Sequence, residues 1–275
     1  MNYAPGIYSG ITNADYHKSE ALGSTSLKTL ATRTPAHYQH DKLHPKFSTA
    51  FTLGTAVHSL VLEGDTSGIV VVEADNWLTK DAKAAKATAL AEGKQPLLTK
   101  EIEQVWAMTH AVMAHSEAWK LFKGHKAEQS VFWDEDGLAL KCRPDAWLPG
   151  RLVDLKTTVS ASPAAFGKTA HEYGYHQSAA HYIDGVKAAT GEDLPFHFVL
   201  VEKTAPFLVS VVELDIEAIN IGRQLNDRAK RIYRECVENN TWPGYPNADL
   251  ISLPMWAIYQ AEDLLGLNTE TEITF

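Results

Sequence analysis

Cysteine is nearly absent from this chain: among 275 residues only Cys142 and Cys236 occur. They lie far apart and outside any CxxC pair, which excludes a disulfide framework, a four-thiolate zinc site and a cysteine-held iron–sulfur cluster. Both read as packed thiols. Long apolar runs are missing too, since no window reaches the ~18 consecutive apolar residues of a membrane span. The opening MNYAPGIYSG lacks the basic-then-apolar order of a secretion signal, so the expectation is a cytoplasmic protein. Positive charge is in deficit, with 25 Lys and Arg against 34 Asp and Glu and a formal net charge of −9. Broad coating of nucleic acid draws on clustered Lys and Arg, so any phosphate contact must be local.

What is present suffices for a sizeable core, because 45% of the residues are hydrophobic and 21% charged. The first 124 residues read as mainly helical. Ser24 or Thr25 is positioned to cap SLKTLA, and Pro35 suits a first helical turn. Phe51, Val57, Leu60 and Val61 give FTLGTAVHSLVLEG helical spacing, with His58 in the middle and Gly64 as the stop. GIVVVE reads as a short strand, and KDAKAAKATALAEG and KEIEQVWAMTHAVMAHSEAWKLF as helices.

The character changes at residue 125. Two strands flank the Asp136-Gly137 turn and a third ends in VDLKT, a small antiparallel core. Helices follow from Ala161 to His171 and from Tyr175 to about Ala189. PFHFVLVEK and PFLVSVVEL return as strands, Asp215 caps a long helix to about Asn239, and a Pro-punctuated tail ends in a short helix. These elements predict an α/β fold over residues 1–275: a single domain with a mixed sheet flanked by helices, and a helical N-terminal section packed on it.

Chemistry concentrates in RLVDLKT. Side chains of a strand alternate, so Asp154 and Lys156 share one face while Val153 and Leu155 point into the core. Asp145 follows Pro144 nine residues earlier, and the short connection PGR can fold it back beside the third strand. Two carboxylates and the Leu155 carbonyl are hard oxygen ligands suited to Mg²⁺, with Mn²⁺ able to substitute. Lys156 beside them would position or deprotonate an attacking water and balance charge on a pentavalent phosphorus. Alone, the D…DxK spacing is equally that of solvent-facing strand ends. Its place at adjacent strand ends after a D-G hairpin makes phosphodiester hydrolysis competitive.

CRPD followed by VDLKT resembles the PD-(D/E)xK nuclease superfamily, and the chain as a whole resembles the RecE-type exodeoxyribonuclease VIII family of phages and prophages. GIYSGITNADYH, LGTAVHSLVLE, AEQSVFW, RPDAW, VDLKTT, YGYHQSAAHYIDG and TWPGY…SLPMWA carry the likeness in collinear order. The resemblance implies a PD-(D/E)xK nuclease-like fold. It also implies a metal-dependent exonuclease that digests linear double-stranded DNA from 5′ to 3′, leaving 3′ single strands for a recombinase. Site residues carried over are His58 as a metal ligand, Glu128 as an acid on the strand before the hairpin, and Asp145, Asp154 and Lys156 as the core motif. The family's helix carries Gln and, four residues on, Tyr; here Gln177 precedes Tyr182 by five, which leaves Gln177 or Ser178 for the glutamine position. One helical residue is a rotation of about 100°, so Gln177 and Tyr182 do not share one face.

The likeness further implies a ring-shaped homo-oligomer, such as a tetramer, whose lining alone needs positive potential, and a RecT-type single-strand annealing partner. Basic residues able to follow a DNA backbone are Lys28, Arg33, Lys42, Lys46 and Arg143, with Arg223, Lys230, Arg231 and Arg234 as a second group, although solvated helix faces explain most of them equally well. Two other readings stay open: a non-hydrolytic DNA-end-binding recombination mediator, and a restriction-type endonuclease of the same superfamily.

Overall fold

The computed structural model describes residues 3–44, 53–247 and 250–267, and the chain divides into two compact units, Met1–Trp242 and Pro243–Phe275. The first unit opens with β1 (Gly6–Tyr8), α1 (Asn13–Lys18), α2 (Ser24–Thr32) and α3 (Pro35–Leu43). Thr12 caps α1 by accepting from the Asp15 N–H at 3.1 Å. The cap of α2 is Gly23, with no side-chain bond, so Ser24 and Thr25 are inside the helix, not before it. Thr34 caps α3 and Pro35 is its first residue, where a missing N–H costs nothing.

Next come α4 (Leu53–His58) and a π-helical continuation, Ser59–Glu63, closed by Gly64 in the left-handed conformation at φ 64°. The expected helix is therefore present but widened after His58; Lys46 and Phe51 lie outside the described residues. Then follow β2 (Ile69–Val72), α5 (Lys80–Ala91), β3 (Gln95–Leu98), α6 (Thr99–Ala114) and α7 (Ser116–Phe122). The predicted single helix of KEIEQVW…KLF breaks at His115, whose ring caps α7 by accepting from Ala118 N–H at 3.2 Å. The section is not purely helical either: β2 and β3 pair in parallel, and β1 joins a later sheet.

The remainder is β4 (Lys126–Ala127), β5 (Ser130–Glu135), β6 (Leu138–Cys142), β7 (Ala146–Leu148), β8 (Arg151–Thr158), α8 (Pro163–Glu172), α9 (Tyr175–Thr190), β9 (Phe196–Glu202), β10 (Val209–Glu213) and α10 (Ile216–Glu238). Asp215 caps α10 by accepting from Ala218 N–H at 2.8 Å. The main sheet has the order β10-β9-β8-β7-β4. It is mixed, because β8 and β9 run parallel across the α8–α9 crossover while the other pairs are antiparallel. The D-G hairpin forms, with Asp136 and Gly137 both at positive φ as a primed turn requires.

The expected small antiparallel core needs correction. The hairpin strands β5 and β6 belong with β1 in a separate sheet, and β8 pairs instead with β7 and β9. The two sheets nonetheless share one ladder. Ala127 pairs with Ala146 and Val131 with Cys142, an unchanged register across a break. At that break Glu128 stands opposite Asp145, and its N–H donates to the Asp145 carbonyl at 3.1 Å.

Alternation in β8 builds both layers of the core. Leu152 joins the cluster of Leu27, Phe166, Ala179, Ile183, Phe198 and Ala229 from α2, α8, α9, α10 and β9. Val153 and Leu155 join Ala56, Val57, Val105 and Met108 from α4 and α6 on the other face. The sheet is thus buried on both sides, and Asp154 is a buried polar residue within β8 itself. In the second unit the described helix is α11 (Met255–Leu264), which buries none of its residues. No described helix is long and apolar enough to cross a membrane.

Candidate active site

Three elements deliver the sequence-predicted acids and lysine to one place. Asp154 and Lys156 sit on β8 with their apolar neighbours Val153 and Leu155 fully buried, as the alternation requires. Pro149 and Gly150 turn β7 back into β8, with Gly150 at φ 81°. That turn brings Asp145 alongside, and its Oδ2 accepts from the Leu155 N–H at 2.7 Å. The bond fixes the carboxylate beside the backbone of the strand that carries the other two groups. Lys156 Nζ lies 2.6 Å from Asp154 Oδ1 and also contacts Oδ2.

His58 enters from the opposite layer. It ends α4 where the helix widens, and its Nδ1 is 3.5 Å from Asp145 Oδ2. Single π-type turns inside helices recur at functional sites because they re-aim side chains. Here Gly54, Thr55, His58, Ser59, Leu62 and Glu63 all face one cleft of about 610 Å³, which Glu128, Arg143, Leu155 and Lys156 also line. Glu128 is not a strand residue as expected. It occupies the ladder break at φ 50°, 3.8 Å from the buried Arg143 guanidinium. Arg143 is held over the Tyr16 ring at 4.0 Å and donates to Ser130 Oγ at 2.9 Å, which fixes its guanidinium at the cleft wall.

The electrostatics are those of crowded acids. Burial first, then Asp145, push the Glu128 carboxyl up to about 7, against the pull of Arg143; Glu63 adds to the rise. Burial also pushes Asp154 up to about 6 although Lys156 pulls the other way, and Asp145 adds its repulsion. Burial disfavours the Lys156 ammonium, but Asp154 and Asp145 outweigh it and hold the amine protonated. Burial is the larger cause of both displacements and repulsion from Asp145 the smaller, and a divalent cation would offset both.

Carboxylates, a backbone carbonyl and an imidazole form a donor set that fits Mg²⁺ or Mn²⁺. Among the described residues no three His, Cys, Asp or Glu side chains are gathered closely enough to close on an ion. Asp154 is turned to Lys156 and Asp145 to the Leu155 N–H. The chemistry fits a cation, and its capture requires Asp154 to turn from Lys156.

The two residues of the α9 motif separate. Tyr182 packs on the core face with Phe196 at 5.9 Å. Its phenol is raised, first by burial and then by Tyr16 and Asp154. Gln177 is buried, and its carbonyl accepts from Asn226 of α10 at 2.9 Å, while its Nε2 has no partner among the described residues. At about 100° per residue Gln177 points away from Tyr182, whereas Ser178 shares its side. Sequence reasoning also missed Glu63, Tyr175 and the siting of Lys28. Tyr175 lies 5.2 Å from Lys156 Nζ, and Lys28 feels both Lys156 and Asp154. Only the position of Glu63 on the LVLE turn, downstream of His58, was readable as a signal.

Of the second basic group, Lys230 bonds Glu135 at 2.6 Å and Asp227 at 2.8 Å, and Arg223 bonds Asp184 at 2.9 Å. Arg234 donates to the Glu135 carbonyl at 2.6 Å. These cations hold α10 to the body of the fold.

A mixed sheet between two helical layers, with D…DxK at the ends of its central strands, defines a protein of the PD-(D/E)xK class. The chain belongs to the family described as a PDDEXK-like domain of unknown function (DUF3799), which matches residues 23–253. Among solved structures it is similar to a putative exonuclease from Eubacterium rectale, at 16% identity and TM-score 0.56, covering 88% of this chain and 97% of that one. Weaker likenesses are to a phage-related exonuclease from Haemophilus somnus and an alkaline exonuclease from Laribacter hongkongensis. The former has 14% identity and TM-score 0.34 over 80% and 96% of the two chains. The latter has 13% identity and TM-score 0.27 over 75% and 93%. At these identities the first supports the fold alone. No protein of curated function matches the sequence significantly.

Proposed function

We propose that this protein is a metal-dependent exodeoxyribonuclease that hydrolyses linear double-stranded DNA, running 5′ to 3′ and leaving 3′ single-stranded tails for recombination by annealing. The observation that supports hydrolysis is a cleft lined by Lys156, Leu155, His58 and Glu128, with Asp145 and Asp154 in direct contact with its lining through the Leu155 N–H, His58 and Lys156. The preference for an end and the polarity are supported by the sequence resemblance.

A bound Mg²⁺ or Mn²⁺ would supply Lewis-acid stabilisation of the phosphorane, held by Asp145, Asp154, the Leu155 carbonyl and His58. The chain's own groups do the rest. Asp145, tied to the Leu155 N–H, keeps the two strand ends in fixed relation. Lys156, protonated at neutral pH, orients the attacking water and stabilises negative charge as it develops on the phosphoryl oxygens. Glu128, with a carboxyl pushed up to about 7, can hold or release a proton at the cleft edge near neutral pH. Tyr182 and Gln177, both on α9, enter the proposal through the sequence resemblance. A ring-shaped homo-oligomer and a RecT-type annealing partner complete the proposal on resemblance, as does a cytoplasmic location.

The test is incubation of purified protein with linear and covalently closed circular duplexes, end-labelled on either strand, in Mg²⁺ or EDTA. Metal-dependent loss of linear DNA alone, starting at the 5′ label, is expected. Cutting of the circle would point to an endonuclease, and binding without cleavage to a mediator.

A further inference from the structure

Beside Lys156 a column of aromatic rings leads out of the core and ends in solvent. Phe166 and Phe198 support Tyr175 from within, at ring-centroid distances of 6.2 and 5.9 Å and interplanar angles of 24° and 31°. Tyr173 stacks on Tyr175 from outside, at 5.7 Å and 20°. Tyr173 is 58% exposed, so the column ends in a ring that presents its face to water. Tyr175 is also the ring that meets Lys156 Nζ at 5.2 Å.

The turn that carries Tyr173 is locked. Lys28 Nζ donates to the Tyr173 carbonyl at 3.2 Å, and Gly174 adopts φ +64°. A Cβ at Gly174 would lie 2.6 Å from Lys28 Cδ, so glycine is what lets the lysine stem cross the turn. Lys28 has no carboxylate within ion-pair reach among the described residues, and burial together with Lys156 lowers its proton affinity. An exposed ring stacked near-parallel on a second ring, with Lys28 bonded to the backbone of the first and Lys156 beside the second, suits one ligand class: a nucleotide with an unpaired base. The base would continue the column and its phosphate would lie toward Lys28 and Lys156.

We propose that Tyr173 and Tyr175 form a stacking step that receives an unpaired base of a DNA strand end next to the scissile phosphate. This rests on the nuclease reading above. Stacking of this kind is sequence-tolerant, because every base offers a π face, so the step would hold a frayed end without selecting a sequence.

The experiment uses the full chain and a linear duplex with 2-aminopurine at its 5′-terminal nucleotide, with Ca²⁺ for binding and Mg²⁺ for turnover. Wild-type protein should quench the fluorescence on binding. Tyr173→Ala should lose the quench, weaken binding about tenfold and raise KM more than it lowers kcat. Tyr173→Phe should restore all three, whereas Tyr173→Leu, apolar but without a ring, should not. Wild-type quench and KM in Tyr173→Ala would overturn the proposal while leaving the nuclease reading intact. Quench by wild-type protein that depends on Tyr173 without cleavage in Mg²⁺ or Mn²⁺ would sink the nuclease reading and support the stacking step.

Discussion

Replacing Lys156 by methionine separates what the site does for catalysis from what it costs the fold. Asp154 is buried, and its carboxyl stands near 6 against an ordinary 3.8, a displacement of about two units even with Lys156 in contact. That displacement corresponds to roughly 3 kcal/mol that the native state loses by keeping Asp154 ionised at neutral pH. Lys156→Met removes the contact cation but keeps the volume. Breaking a buried pair from one side costs about 3–5 kcal/mol when the remaining charge stays ionised. Here the cost has an escape, because Asp154 can take up a proton. A carboxyl raised in the native state binds protons there more tightly than in the unfolded chain. Stability therefore falls as pH rises through the native value, and removal of the lysine moves that window upward. Urea unfolding should show Lys156→Met about 3 kcal/mol less stable than wild type at pH 8 and much closer to it at pH 5. Lys156→Met/Asp154→Asn should regain most of the loss at pH 8, and both variants should be inactive on linear DNA. A loss equal at both pH values, or a double variant as unstable as the single one, would refute the electrostatic account. Cleavage by Lys156→Met would refute the catalytic one.

Three further outcomes follow from particular contacts. His58→Ala should raise the Mg²⁺ midpoint for cleavage by ~10–100-fold while DNA affinity in Ca²⁺ stays near wild type; a change in affinity alone would remove His58 from the ligand set. His181 is buried, its Nε2 hydrogen-bonds the Lys141 carbonyl at 2.9 Å, and burial lowers its imidazole to about 4. Its neutral form contributes fully above 6.5, and that contribution is lost as pH falls toward 4. His181→Gln should therefore flatten the acid limb of the stability–pH curve by about 3 kcal/mol across that window, and an unchanged slope would count against it. Gly222→Ala places a Cβ 2.3 Å from the His176 carbonyl oxygen where α9 crosses α10. Thermal unfolding should register roughly 1–3 kcal/mol of destabilisation, while a neutral result would mean the helices can part without strain.

Much of this architecture was legible because local signals were strong. The D-G turn, the β-branched runs of β9 and β10, and the Asp215 cap each act within a few residues, and each element formed as read. Other strands escaped because they are short: β4 has two residues and β7 three, too few for a period to register. The split between the sheets escaped for a different reason. Alternation tells which face a side chain takes but not which strand lies alongside, so β6 and β8 were read as neighbours when β7 intervenes. At the site, Asp154 and Lys156 were fixed by the two-residue period. Lys28 and Tyr175 come near Lys156 through contacts between distant segments, which no spacing records.

The split also explains why acids gather where they do. The β4–β5 and β6–β7 ladder keeps one register through the break, which sets Glu128 opposite Asp145. Like charges directly opposite destabilise a ladder, and Pro144 at the next position has no N–H to give to it. Local rules alone would fill these positions with apolar or oppositely charged residues. The chain keeps the acids, places Glu128 at positive φ, and offsets part of the repulsion with Arg143 held over Tyr16. Departures from local preference of this kind are expected at functional or strained positions. On the proposed reading a divalent cation would offset the repulsion between Glu128 and Asp145 that Arg143 leaves.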